Sequence, residues 1–287
     1  MNMNGFYEKI DRFFEIKDFT GAEEFMKDTL AQAEAEGDKA SIVTVCNELG
    51  GFYRAFSRYH EGIPLYEKAL SCIEALGMNG SEAQGTTLLN FATTLAIVDQ
   101  SQRALKAYQQ AAAIFEGPAY AQDFRLATLY NNMSSLYQNL GQLQQSAAYL
   151  EKAMSILKQL QHSEIEMAIT WSNLAGVFLS MGQDALSEAK DAAQKAIALF
   201  QSVSGDQDVH YAPAVSALGE VFYLEGNFKD AEEHFRQSIQ LTERDYGNQT
   251  LGYAILCDNL AAALQAQGQQ EEAEQWQSKA KAIKERL

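Results

Sequence analysis

Asn90, Asn132, Asn173 and Asn259 recur at steps of 42, 41 and 86 residues, the last being twice 43, along a chain of 287 residues. A carboxamide both donates and accepts hydrogen bonds, so a row of them can pair with the backbone of an extended peptide whatever its side chains. Thr44, Thr86 and Thr128 keep the same step, 42 residues apart. Asn131, Thr93, Ser135, Gln138 and Asn139 fall between the rows, so the stretch NNMSSLYQNLGQ, 131–142, is dense in neutral hydrogen-bonding groups. Such groups serve recognition rather than bond breaking.

Bond-breaking chemistry needs other sets, and their spacing is wrong. His60, His162, His210 and His234 are scattered, with no H-E-x-x-H and no cysteine pair of metal-binding spacing. Cys46, Cys72 and Cys257 include no C-x-x-C and sit on apolar stripes, where a cysteine behaves as a small hydrophobe. No phosphate-cradling glycine loop or nucleophile elbow occurs. Glu23-Glu24, Glu232-Glu233 and Glu271-Glu272 lie near the starts of predicted helices, where the helix dipole favours negative charge. No catalytic residue, metal or cofactor is therefore expected. The formal charge of −16, from 38 acids and 22 bases, repels phosphate backbones and anionic lipid, which argues against nucleic-acid and membrane partners. With no apolar run of about 18 residues and no basic-then-apolar leader, a cytoplasmic protein is expected.

The elements that must position the amide rows are helices. Prolines number only three, and Ala, Leu, Gln and Glu dominate long stretches free of β-branched clusters. NMSSLYQNLGQ from Asn132 aligns with NLAGVFLSMGQ from Asn173, ALGEVFYLEGN from Ala217 and NLAAALQAQGQ from Asn259. Weaker copies start at Glu48 and Asn90, and a degenerate one near Glu8, giving seven repeats 40 to 44 residues long. Each first helix reads large, small, large on one face: Leu49-Gly50-Tyr53, Phe91-Ala92-Leu95, Met133-Ser134-Tyr137, Leu174-Ala175-Phe178, Leu218-Gly219-Phe222 and Leu260-Ala261-Leu264. A turn follows, with Gly141, Gly182, Gly226 or Gly268 where a left-handed cap favours glycine. The second helix carries small residues seven apart, as in Ala104 and Ala111, Ser146 and Ala153, or Ala231 and Ser238, which predicts close helix approach. Between Gly182 and Ala196 two residues are added relative to the other repeats, predicting a bulge at that turn or a longer helix.

These positions together resemble the tetratricopeptide repeat family over the whole chain. The repeat is longer than the family's usual form, and 241–274 is similar to the kinesin light chain type. The resemblance implies an all-α fold, a right-handed superhelical solenoid of about seven antiparallel helix pairs forming one domain over 1–287. It also implies a groove lined by the first helices, faced by the residue opening each repeat and those four before it and three, six and seven after it. The expected ligand-facing residues are then Thr86, Asn90, Thr93, Thr128, Asn131, Asn132, Ser135, Gln138, Asn139, Asn173 and Asn259. Three readings of the asparagines stay open: contact with peptide, bridging to the adjacent repeat, or plain solvation.

Function on this reading is non-catalytic binding of a protein or extended peptide. Glu8, Asp11, Glu48, Glu220 and Asp258 make the groove mildly acidic and favour a neutral to basic partner. The cationic clamp by which co-chaperone members hold a carboxylate is missing; Arg54 is its one obvious cation. Two alternatives are a peptide-responsive sensor without a DNA-binding head, since helices already occupy residues 5–34, and a self-associating adaptor. The latter would use Trp276, Ile283 and Leu287 as an apolar strip, giving a monomer or weak homodimer.

Overall fold

The computed structural model describes residues 3–118, 120 and 123–286; Leu287 of the expected end strip lies outside them. Fourteen α-helices and no strand occur among the described residues. The first unit, 1–136, holds α1 (Met3–Glu15), α2 (Phe19–Glu36), α3 (Lys39–Ala55), α4 (Tyr59–Ala75), α5 (Glu82–Ile97), α6 (Ser101–Phe115) and most of α7 (Phe124–Asn139). The second, 137–287, holds the end of α7 with α8 (Leu143–Leu157), α9 (Glu164–Met181), α10 (Leu186–Val203), α11 (Tyr211–Leu224), α12 (Phe228–Tyr246), α13 (Leu251–Ala266) and α14 (Gln270–Lys284). Consecutive helices pack together from α1 to α6 in the first unit and from α8 to α14 in the second, and odd-numbered helices also touch, α3 on α5 and α11 on both α9 and α13. No helix of the described residues is long and apolar enough to cross a membrane.

Burial follows the sequence pattern closely. The large–small–large faces point inward, from Leu49 and Tyr53 through Leu260 and Leu264, with only Phe178 and Phe222 half-buried. The small residues of the second helices, from Gly62 and Ala69 to Ala273 and Ala280, are all buried. Where the small position of the large–small–large triplet is glycine, the second helix supplies a ring to fill the space. A methyl group on Gly50 would lie 2.6 Å from the Tyr66 ring, and one on Gly219 would lie 2.9 Å from that of Phe235. The bulge is the outcome at the fifth repeat, where a 3-10 turn, Gln183–Ala185, takes up the extra length.

The turns divide into two kinds. Gly141, Gly226 and Gly268 adopt φ of 71°, 81° and 79°, while the early repeats place Lys17, Ser57 and Asp99 in the same conformation at 57°, 59° and 58°. A side chain in that region crowds its own carbonyl. Ser57→Gly is accordingly expected to raise the unfolding free energy by about 1 kcal/mol in urea denaturation.

The paired glutamates show a different cause from the dipole. Glu23 and Glu232 lie beyond the first turns of α2 and α12, whereas Glu271 and Glu272 do sit in the first turn of α14. Their partners are arginines: Glu23 is 2.5 Å from Arg58 in the next repeat, and Arg236 holds Glu232 on its own helix at 2.9 Å while reaching Glu272 in the next repeat at 2.6 Å. Arg103 with Glu67 at 2.6 Å, and Lys68 with Glu34, extend this cross-linking of successive second helices. Hydrogen bonds from Arg58, helped by Lys27 and Tyr53 and opposed by burial, hold the Glu23 carboxyl down at about 2 against an ordinary 4.5. A depressed folded value means the stabilisation is complete above about 4.5 and lost as pH falls through about 2. Glu23→Gln should cost about 1 kcal/mol at pH 7, the partly exposed arginine limiting the effect, and the gap from the parent should close by pH 2.

Candidate functional site

In the first unit the amide row knits one first helix to the next. Asn47 Nδ2 donates to Thr87 Oγ1 at 2.8 Å, and Asn90 Nδ2 reaches Asn47 Oδ1 at 3.5 Å. Arg54 Nη1 donates to Asn90, at 3.5 Å to its carbonyl and 3.4 Å to Oδ1, so the cation noted in the sequence is engaged on this row. Asn132 Nδ2 donates to Thr93 Oγ1 at 3.2 Å, an oxygen that also accepts from the Tyr108 hydroxyl. Asn131 bonds the Ala127 carbonyl of its own helix, while Thr128 and Ser135 are exposed. Thr86 lines a hollow of about 470 Å³ with Tyr7, Thr44, Asn47 and Glu48.

The second unit carries the more developed cavity. Gln138 Nε2, from the end of α7, donates to the Gly176 carbonyl at 3.3 Å and to Ser180 Oγ at 3.0 Å on α9. Gln138, Asn173 and Ser180 then form the polar side of a hollow of about 530 Å³, closed by Ser216, Glu220 and Leu224 of α11. Asn259 of α13 donates through Nδ2 to Glu220 at 3.3 Å. A second hollow, about 360 Å³, lies between α11 and α13 and is lined by Pro213, Ser216, Thr242, Tyr246, Ile255 and Leu256. Pro213 and Ser216 belong to both, so the polar and apolar spaces adjoin. Asn139 is exposed at the end of α7.

Bridging between repeats is thus the geometry of Asn90, Asn132 and Asn259. For Asn132 and Asn259 the contact joins the opening position of one repeat to the position three further on in the preceding one, Thr93 and Glu220, whereas Asn90 reaches Asn47, one before the preceding repeat's opening position. The offset to Thr93 and Glu220 is about one helical turn. The apolar hollow went unread in the sequence, although its signal was present. Pro213 and Ile255 occupy the register of Thr44, Thr86 and Thr128, four residues before the opening position, so that row changes from hydroxyl to apolar late in the chain.

Charge on these surfaces is set by burial and pairing. Glu220 and Glu48 are both raised above the ordinary carboxylate value, chiefly because burial disfavours the anion; the Asn259 amide and the Tyr7 hydroxyl partly offset this. Asp258, by contrast, is paired with Lys284. Cys46 and Cys257 are buried, and burial pushes their thiols up to about 12 and about 11, which leaves no nucleophilic thiolate at neutral pH. Among the described residues no group of three or more histidine, cysteine or acidic side chains is placed to hold a metal ion. Ile283 of the expected apolar end strip is buried in the α12–α14 core instead, with Trp276 packed against that core and its ring covered by Lys279 at 4.9 Å.

Comparison with known proteins gives a consistent answer. The tetratricopeptide repeat model matches residues 40–117, 125–202, 166–244 and 210–286. No curated protein matches the sequence. Among solved structures, BtubC (BKLC) from P. vanneervenii has a TM-score of 0.63 at 19% identity, covering 79% of this chain and 91% of that one. RapI in its apo form has a TM-score of 0.74 at 12% identity, over 99% and 98% of the two chains. NprR in complex with its cognate peptide NprX has a TM-score of 0.65 at 14% identity, over 89% and 72%. At these identities the likeness speaks to fold, and with the family model matched over most of the sequence, the chain belongs to the tetratricopeptide repeat family.

Proposed function

We propose that this chain is a non-catalytic scaffold that binds a protein or extended peptide, neutral to basic, on the faces lined by the first helices of its repeats. The observation that carries the reading is the pair of adjoining hollows over α11, one polar and one apolar. The floor of the apolar hollow, Ala212 and Leu256, belongs to the buried core, while its rim is open to solvent. Ile255 is 47% exposed and Tyr246 55% exposed on its rim. A concave surface that offers apolar contact beside a few fixed polar groups is the usual form of a binding site. Bridging does not exhaust the amides, because each carboxamide has two donor hydrogens and two acceptor lone pairs. The acidic balance of the chain favours encounter with basic partners over nucleic acid or anionic membrane, and we take the working state as a monomer or weak homodimer.

A second reading, a peptide-responsive sensor acting on another protein, draws on the likeness to RapI and to the NprR complex with NprX. Both readings place the ligand on the same surface. Calorimetric titration with pools of extended peptides tests it. Ser216→Trp fills the wall shared by the two hollows without touching an amide bridge, and should weaken binding at least about tenfold, as expected when a contact surface is blocked. Gln194→Trp, on the exposed side of α10, should leave it unchanged. Equal binding by parent and Ser216→Trp would remove this surface from the account.

A further inference from the structure

We propose that the paired hollows over α11 take an extended segment with two anchors about three residues apart, a lysine or arginine against Glu220 and a bulky apolar side chain among Pro213, Tyr246 and Ile255. This rests on the peptide-binding reading above and assigns the chemistry of its ligand.

Glu220 differs from the charged groups around it. Asp258 is paired with Lys284, Glu225 with Lys190 at 2.8 Å, and Glu232 and Glu272 with Arg236. Among the described residues no cation lies within salt-bridge distance of Glu220, whose carboxylate accepts the single Asn259 amide at 3.3 Å. A carboxylate has room for about four hydrogen bonds, so most of its capacity faces the 530 Å³ hollow. Half-buried and lacking a counter-ion, it is short of what stabilises its ionised form, as its raised proton affinity records. A basic side chain entering the hollow would supply that missing charge.

The apolar anchor comes from an independent feature. The 360 Å³ hollow is walled by Ala212, Pro213, Tyr246, Ile255 and Leu256, and its hydroxyls, Ser216, Thr242 and Thr250, are small. Pro213 and Glu220 are seven residues, or two turns, apart on α11, about 10 Å. An extended chain of polyproline-II form, rising about 3.1 Å per residue with about three residues per turn, covers that distance in about three residues and returns both anchors to one face. A partner with both anchors at this spacing meets both hollows at once, whereas one with adjacent anchors cannot.

Fluorescence anisotropy with labelled, end-blocked peptides decides the matter. The probes carry Lys-Ser-Ser-Leu or its reverse, the same sequences with norleucine for lysine, and a version with lysine and leucine adjacent. The expected result is that one spaced lysine peptide binds at least about tenfold more tightly than its norleucine and adjacent counterparts, the size of effect a charge-assisted hydrogen bond gives. Glu220→Gln, which keeps an acceptor for Asn259 and so the fold, should abolish the preference for lysine over norleucine. Ile255→Ser, at an exposed position, should weaken the lysine and norleucine peptides alike. Equal binding of lysine and norleucine peptides, or a lysine preference that survives Glu220→Gln, overturns the assignment of Glu220 while peptide binding itself stands. Absence of binding by every probe, with peptide pools still bound in a Ser216-dependent way, overturns the two-anchor spacing. Loss of binding by the pools as well removes the underlying reading together with this one.

Discussion

Phe235→Ala is expected to lower the unfolding free energy by about 3–5 kcal/mol in urea denaturation, the range for emptying a buried aromatic site. Phe235 is 1% exposed at the centre of the core formed by α12, α13 and α14, with Ile239, Tyr253, Leu256 and Leu260 in the same cluster. Its ring also occupies the space left by Gly219, which has no side chain to move into the gap. Relaxation is therefore limited, and the cavity cost adds to the lost transfer energy. Because each repeat relies on its neighbours, amide exchange should quicken first in α11–α13.

Ala153→Leu tests the opposite error, too much volume rather than too little. Ala153 is fully buried on α8, and the helix packs against α9. Leucine is the better buried hydrophobe and nearly as good a helix former, so surface and propensity arguments predict little change. Steric exclusion outweighs them: three extra carbons in a filled space force strained rotamers or helix displacement. The expected loss is about 1–3 kcal/mol. An unchanged thermal midpoint would place the helix contact elsewhere.

Much of the fold was legible because its information is periodic. Small residues seven apart and the large–small–large triplets depend only on helix geometry, so positions such as Ala104, Ala111, Leu174 and Ala175 could be assigned to the core from sequence alone. Long-range partners were not legible in the same way. The helix dipole is a local cause and was the natural reading of Glu23 and Glu232, but what holds them is an arginine, in Glu23's case 35 residues away. The asparagines recur in phase, yet Asn132 and Asn259 meet partners one turn off the equal position in the preceding repeat. Stacked first helices do not set equal positions opposite one another, and no single repeat encodes that offset. The apolar hollow is encoded by a change within one row, where Pro213 and Ile255 stand in the register that Thr44, Thr86 and Thr128 hold earlier in the chain. The strip at the last helix failed at Ile283, where an apolar residue spaced with Trp276 is turned into the core rather than out to solvent.

The central claim is that partners lie over the face carried by the first helices, with Tyr246 of α12 at its rim, and not on the exposed side of the second helices. A photoreactive benzophenone side chain at position 255, on the rim of the apolar hollow, and another at Gln194, on the exposed side of α10, test it directly with the same peptide pool. Covalent capture from position 255 alone is the result expected. Capture from position 194 with none from 255 would contradict the account.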